Sequence, residues 1–163
     1  MRIENIKNNE KYLKEYVRLC SLEWSSPKTK EEMNKYIENK LNRILTTDKV
    51  IFVLGLFDND EMIGFISLFK YDGDERRDLT PWYATMYVKK EYRGKGYSKL
   101  LNDALIEECV KRGYDKIYLK SDLINYYEKF GAKYIEKLNN GETLYYINCK
   151  DEFYENKRSK KYN

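Results

Sequence analysis

Glu91-Tyr92-Arg93-Gly94-Lys95-Gly96-Tyr97-Ser98 is the stretch whose residue types and spacing could do chemistry. Two glycines flanking one residue let the backbone bend tightly and keep side chains out of the concavity. An amphipathic pattern follows directly, so the free N–H groups of a helix N-terminus would point into that bend, where the macrodipole favours an anion. Arg93 and Lys95 add positive charge, and Arg93, Gly94, Lys95, Gly96, Tyr97 and Ser98 together read as a phosphate cradle. The segment is not a GxxxxGK[ST] loop. It is not a GxGxxG fingerprint either, because Lys99 occupies the third glycine position. Taken alone, the G-x-G could equally be a plain glycine turn between a strand and a helix.

Composition narrows the chemistry further. The 163 residues contain no histidine, which removes Ser-His, Cys-His and His-metal mechanisms together. Cys20, Cys109 and Cys149 are far apart with no CxxC, so they form neither a structural zinc site nor an even disulfide framework. They read as buried, reduced thiols, and no metal is expected. With 31 Lys+Arg against 27 Asp+Glu, the net charge of +4 is too small for a strong nucleic-acid footprint. No segment approaches the ~20 apolar residues of a membrane span, and the first residues begin no secretory core. A cytoplasmic protein without a membrane partner is therefore expected.

The elements that must position the bend follow from apolar periodicity. Ile3 and Ile6 suggest an opening strand. Tyr12, Leu13, Tyr16, Val17 and Cys20 form one helical stripe, and Met33, Ile37, Leu41, Ile44 and Leu45 form a second. Val50 to Phe57 is a continuous apolar run, as in a strand covered on both faces, and Met62 to Phe69 returns from it as a hairpin. Trp82 to Val88 is a strand rich in aromatics, and Tyr97 to Cys109 traces the helix after the bend. A short strand at Lys116–Leu119 and a short helix capped by Asp122 come next. Two strands around the Asn139-Asn140-Gly141 turn then close the series. The order β-α-α-β-β-β-α-β-α-β-β predicts an α/β (α+β) fold with a mixed, mostly antiparallel sheet and helices on both faces. Residues 1–149 read as one domain. The fourteen residues from 150 to 163 hold five basic and three acidic side chains without an apolar period, and read as a basic, frayed tail.

Tyr87 to Gly96 followed by Leu100-Leu101 resembles the Q/R-x-x-G-x-G/A acetyl-CoA signature of the GNAT N-acetyltransferase superfamily. About thirty residues on, Tyr126-Tyr127-Glu128-Lys129-Phe130-Gly131-Ala132 is similar to that family's Y-E-K-x-G-F segment. The resemblance is specific between Trp82 and Tyr134 and topological elsewhere. It implies that acetyl-CoA binds with its pantetheine amides on the backbone of Met86, Tyr87 and Val88, with its pyrophosphate on the N–H groups from Arg93 to Ser98. It also places Tyr127 beside the thioester sulfur as the catalytic acid, and the Val88 N–H near the developing oxyanion. Glu91 replaces the usual Gln or Arg, and Ser121-Asp122 stand where an asparagine is often found.

Such chemistry suits a chain without histidine. A thioester is already activated, and holding an amine in line with it can lower the barrier by roughly 7–11 kcal/mol. An aliphatic ammonium near pKa ~10.4 must first lose a proton, and a phenol near ~10 can give one to the departing sulfur. Tyr127 could instead be a core aromatic on one face with Leu123 and Phe130, and Tyr126 is its neighbour out of register. The base could be Asp78, Glu61 or a water, while both carboxylates could equally be solvated loop charges. Trp24, Trp82, Tyr83 and Tyr87 could line an acceptor pocket or fill the core, and Arg76-Arg77 could meet an acidic acceptor. The expected activity is N-acetylation of a small-molecule or peptide amine, with a homodimer possible. A silent acyl-CoA-binding module and a toxin-like aminoacyl-tRNA acetyltransferase are the alternatives.

Overall fold

The apolar run from Val50 builds the centre of the molecule. In the computed structural model, which describes residues 1–151 and 154, this run is β2 (Val50–Asp58), buried along nearly all its length. It pairs on one side with β1 (Arg2–Asn5) and on the other with β3 (Glu61–Phe69), both antiparallel. Asn59, at φ 54°, supplies the left-handed residue of the β2–β3 turn, a conformation asparagine tolerates. The seven-stranded sheet continues through β4 (Trp82–Val88), β5 (Lys116–Ser121), β7 (Thr143–Asn148) and β6 (Lys133–Lys137), in the order β1-β2-β3-β4-β5-β7-β6. Every neighbouring pair is antiparallel except β4 and β5, as the mixed, mostly antiparallel expectation requires.

Helices cover both faces. α1 (Glu10–Trp24) and α2 (Lys30–Thr46) bury Leu13, Tyr16, Val17 and Ile44 against Phe57, Phe65 and Trp82. α3 (Tyr97–Lys111) buries Leu101, Leu105 and Cys109 against Leu54, Ile66 and Ile117 on the other face. Asn9 caps α1 at Tyr12 N–H (3.3 Å), and Thr29 caps α2 at Glu32 N–H (3.0 Å). Glu32 in turn accepts from Lys28 N–H at 2.8 Å, which fixes where the chain enters α2. The three cysteines are buried, and the Cys109 and Cys149 side chains hydrogen-bond each other.

The expected short helix after Asp122 is instead a single 3-10 turn, Tyr127–Phe130. Asp122 caps nothing there. The Ser121 hydroxyl accepts from Leu123 N–H (3.0 Å), and Asn125 stands at φ 58°, so the chain turns before a helix can propagate. A second 3-10 turn, Lys90–Tyr92, precedes the glycine bend. The frayed-tail expectation falls mostly on residues outside the described ones. Tyr154 is described, is 3% exposed and packs in the core, with Asn102 donating to its hydroxyl at 3.1 Å.

Candidate active site

β4 and β5 touch at one register pair only, Trp82 with Tyr118, backed by Tyr118 N–H to Pro81 C=O at 3.0 Å. Parallel strands twist, and with no further pairing to hold them these two splay apart. Among the described residues, the edge of β4 from Tyr83 to Val88 therefore has no strand beside it on that side. This leaves an extended backbone with donors and acceptors to offer, the geometry on which another extended chain adds as a strand.

The free edge is shaped by a bulge. Two β4 residues, Thr85 and Met86, stand opposite Ile66 between the Ser67–Ala84 and Phe65–Tyr87 pairs. Thr85 lies at φ 47°, a left-handed conformation that costs a β-branched residue about 1–3 kcal/mol. A buried hydroxyl cluster holds it there. Tyr16 Oη lies 3.1 Å from Thr85 Oγ1 and 3.2 Å from Ser67 Oγ, and the Ser67 and Thr85 hydroxyls bond each other. Burial pushes the Tyr16 hydroxyl well above the ordinary phenol range, so it stays protonated. Gly64 lets β3 pass close to this end of β4, because a Cβ there would lie 2.7 Å from the Tyr87 carbonyl oxygen.

At the end of β4 the chain makes its 3-10 turn and enters the bend. Gly94 and Gly96 take φ 78° and 85°, and a Cβ on either would meet nothing within 4 Å. Backbone conformation rather than space demands glycine here, and the hollow over the bend is open. Gly96 is the N-cap of α3, which has no side-chain cap and no acidic residue in its first turn. Its leading N–H groups are therefore free for an anion, unlike those of the capped α1 and α2. Arg93 folds back so that Nε donates to Val88 C=O at 2.7 Å, with its guanidinium 5.7 Å from the Tyr87 ring centre. It ties the bend to β4 as well as charging it.

Edge, bend and the 3-10 turn at Tyr127 enclose one cleft of about 960 Å³. Met86, Tyr87, Val88, Arg93, Gly94, Gly96, Tyr97, Ser98 and Tyr127 all line it. Lys95 does not; its ammonium lies 5.6 Å from the Tyr92 ring. Tyr127 is half-buried and edge-on to Tyr83 at 5.8 Å, and its hydroxyl bonds to no other described residue. Burial, with Tyr126 adding to it, pushes that hydroxyl up to about 12. Tyr126 also lines the cleft, with the Lys129 ammonium 4.0 Å from its ring centre.

Neither base expected from the sequence reaches this cleft. Asp78 is gripped by Arg76 (Nε 3.0 Å, Nη2 2.9 Å), which holds its carboxyl below the usual range, and Glu61 pairs with Lys89 at 3.1 Å. The carboxylate that lines the cleft is Glu23, in the last turn of α1. No basic residue shares that turn, so its charge sits uncompensated at the negative end of a helix dipole. That unfavourable placement was the readable signal, and attention to the buried stripe of α1 hides it. Of the four candidate pocket aromatics, Tyr87 lines the cleft and stacks on Phe65 at 5.2 Å, and the half-exposed Trp24 meets it edge-on at 6.5 Å. Trp82 and Tyr83 are core. Arg76 and Arg77 are engaged by Asp78, Glu136 and Asp74 rather than held ready for an acceptor.

Residues 13–132 match the model of the Acetyltransferase (GNAT) family. The chain belongs to that family. N-alpha-acetyltransferase 30 of Schizosaccharomyces pombe is 27% identical over 150 residues, spanning 89% of this chain and 91% of that protein. Among solved structures, aminoglycoside 6'-acetyltransferase type Ii superposes with a TM-score of 0.69 at 22% identity, covering 93% of this chain and 99% of its own. The PaiA N-acetyltransferase from Thermoplasma acidophilum, in complex with coenzyme A, gives 0.60 at 22% identity, covering 91% and 99%. At these identities the structural likeness establishes the fold. This GNAT protein is an acyltransferase whose acetyl donor is acetyl-CoA and whose acceptor is an amine. The open β4 edge and the hollow over Gly94 and Gly96 fit such a donor. Among the described residues no helix is long and apolar enough to cross a membrane, and no side-chain cluster could hold a metal.

Proposed function

We propose that this enzyme acetylates a primary amine of a small molecule or a peptide, with donor and acceptor meeting in the cleft beside β4. Acetyl-CoA supplies an activated acyl group, so the chain has only to bind, align and move protons. Met86, Tyr87 and Val88 offer backbone groups to the pantetheine amides. The N–H groups of Gly94, Gly96, Tyr97 and Ser98 take the diphosphate, while Arg93, whose own N–H is engaged by Lys90 C=O at 3.2 Å, adds side-chain charge at that mouth. Tyr127 keeps its proton at all physiological pH values and donates it to the departing sulfur. Glu23 attracts the incoming ammonium and receives its proton, directly or through a water. The Val88 N–H meets the oxyanion.

The observation that carries this reading is one continuous cleft lined by the unpaired β4 edge, the glycine bend, Tyr127 and Glu23. Calorimetry with coenzyme A, followed by a thiol-release screen over polyamines, aminoglycosides and free peptide N-termini, tests it. One-to-one binding with turnover on at least one amine is expected. Binding without turnover on any amine would instead favour a silent acyl-CoA module, and absence of binding would sink the site.

A further inference from the structure

A second cavity, of about 310 Å³, opens between α2 and the end of the sheet where β2 begins and β3 finishes. Its floor is apolar: Ile44, Val50 and Phe69 are each less than a tenth exposed, and Tyr36 adds an aromatic wall. Its rim carries Lys40, Arg43 and Lys49, and among the described residues no acidic one lines it. It shares no lining residue with the cleft beside β4.

None of these three cations is in an ion pair with a described carboxylate. Lys40 donates to the Tyr36 hydroxyl at 3.3 Å and lies over the Tyr36 and Tyr16 rings, at 5.6 and 6.0 Å. Asp48, next in sequence to Lys49, is engaged by Lys70 at 2.9 Å. Asp72 feels Lys49 and Lys40, but burial pushes its carboxyl upward, and Lys120 offsets that shift more than either. Arg43 alone would be explained as the cation that complements the end of α2. Lys40, one turn earlier on the helix, and Lys49, on a different element, have no such explanation. Three like charges around one concavity repel each other, and an anion would relieve that repulsion.

We propose that this cavity binds a small amphiphilic anion, a carboxylate or phosphate head on an aromatic or short aliphatic body. The head would sit among Lys40, Arg43 and Lys49, with the body on Ile44, Val50 and Phe69. The volume, at the low end for small-molecule sites, matches a ligand of single-ring size.

The test is titration of the full chain with benzoate, phenyl phosphate, inorganic phosphate and benzyl alcohol, followed by amide NMR shifts and calorimetry. Benzoate, phenyl phosphate or both should bind one-to-one and shift the Ile44, Val50 and Phe69 amides. Which of the two binds tighter identifies the preferred head. Inorganic phosphate and benzyl alcohol should bind at least about ten-fold more weakly, each lacking half of the recognition. The double variant Lys40→Gln/Arg43→Gln should lose about ten-fold in affinity for the tighter probe while its affinity for coenzyme A is unchanged. Lys49→Gln, from another element, gives an independent loss if the helix variant folds poorly. No binding by either amphiphile, binding indifferent to all these substitutions, or displacement by coenzyme A would overturn the proposal. Because coenzyme A is measured separately, failure here leaves the acetyltransferase reading standing.

Discussion

On the function proposed above, Tyr127 and Glu23 divide the proton work between a group that gives a proton and one that takes it. Loss of the hydroxyl in Tyr127→Phe leaves the ring packed against Tyr83, so binding should survive while kcat falls by about 10²-fold or more. Parallel measurements of coenzyme A affinity and turnover check this. Because burial pushes that hydroxyl up to about 12, it keeps its proton throughout the working range. The kcat–pH profile should therefore show no descending limb below about pH 10. A fall centred near pH 8 would assign the acid step elsewhere. Glu23→Gln keeps the shape of the side chain but removes its charge, and should lower kcat/KM for the amine by about 10²-fold with acetyl-CoA affinity unchanged.

The splay of two strands and the bend that follows make the site out of backbone. Gly96 stands at φ 85° with open space around it, so Gly96→Ala forces a side chain into the left-handed region at roughly 1–2 kcal/mol, without a clash. Unfolding in urea should show that loss, and calorimetry should show weaker coenzyme A binding as the bend relaxes away from the helix N-terminus. The bulge at Thr85 depends on α1 from across the sheet, through the Tyr16 hydroxyl. Tyr16→Phe removes its bonds to both Thr85 and Ser67 but leaves those two hydroxyls bonded to each other, so its cost should be about 1–2 kcal/mol in urea unfolding.

Across the whole molecule, phenols and thiols are packed into the core in their neutral forms. Burial raises Tyr16, Tyr83 and Tyr154 well above the ordinary value and takes Tyr127 to about 12 and Cys20 to about 11, while the Cys109 thiol is raised first by its hydrogen bond with Cys149 and then by burial. In the unfolded chain tyrosines ionise near ~10 and cysteines near ~8.5. The folded state therefore holds more protons above these values, and its stability is complete below about pH 8.5 and falls as pH rises toward 12. Chemical denaturation from pH 7 to 11 should show a progressive drop in midpoint. A flat midpoint to pH 11 would mean that these groups ionise in place.

The sequence by itself determined the element series, because apolar periodicity is a local property that survives in one dimension. It also determined the bend, because paired glycines before an amphipathic helix admit few backbone paths, and the placement of Tyr127 in the same cleft was legible through its motif. Its helix after Asp122 did not form, since competition from the Ser121 hydroxyl and the left-handed Asn125 appear only in the folded loop. What tertiary structure alone decided is which distant residues share a cleft. The single Trp82–Tyr118 pair that opens β4, the hydroxyls of Tyr16 and Ser67 beneath Thr85, and the arrival of Glu23 rather than Asp78 or Glu61 all join positions far apart in the chain. Strand splay and helix placement set those meetings, and they depend on how whole faces pack rather than on any local spacing.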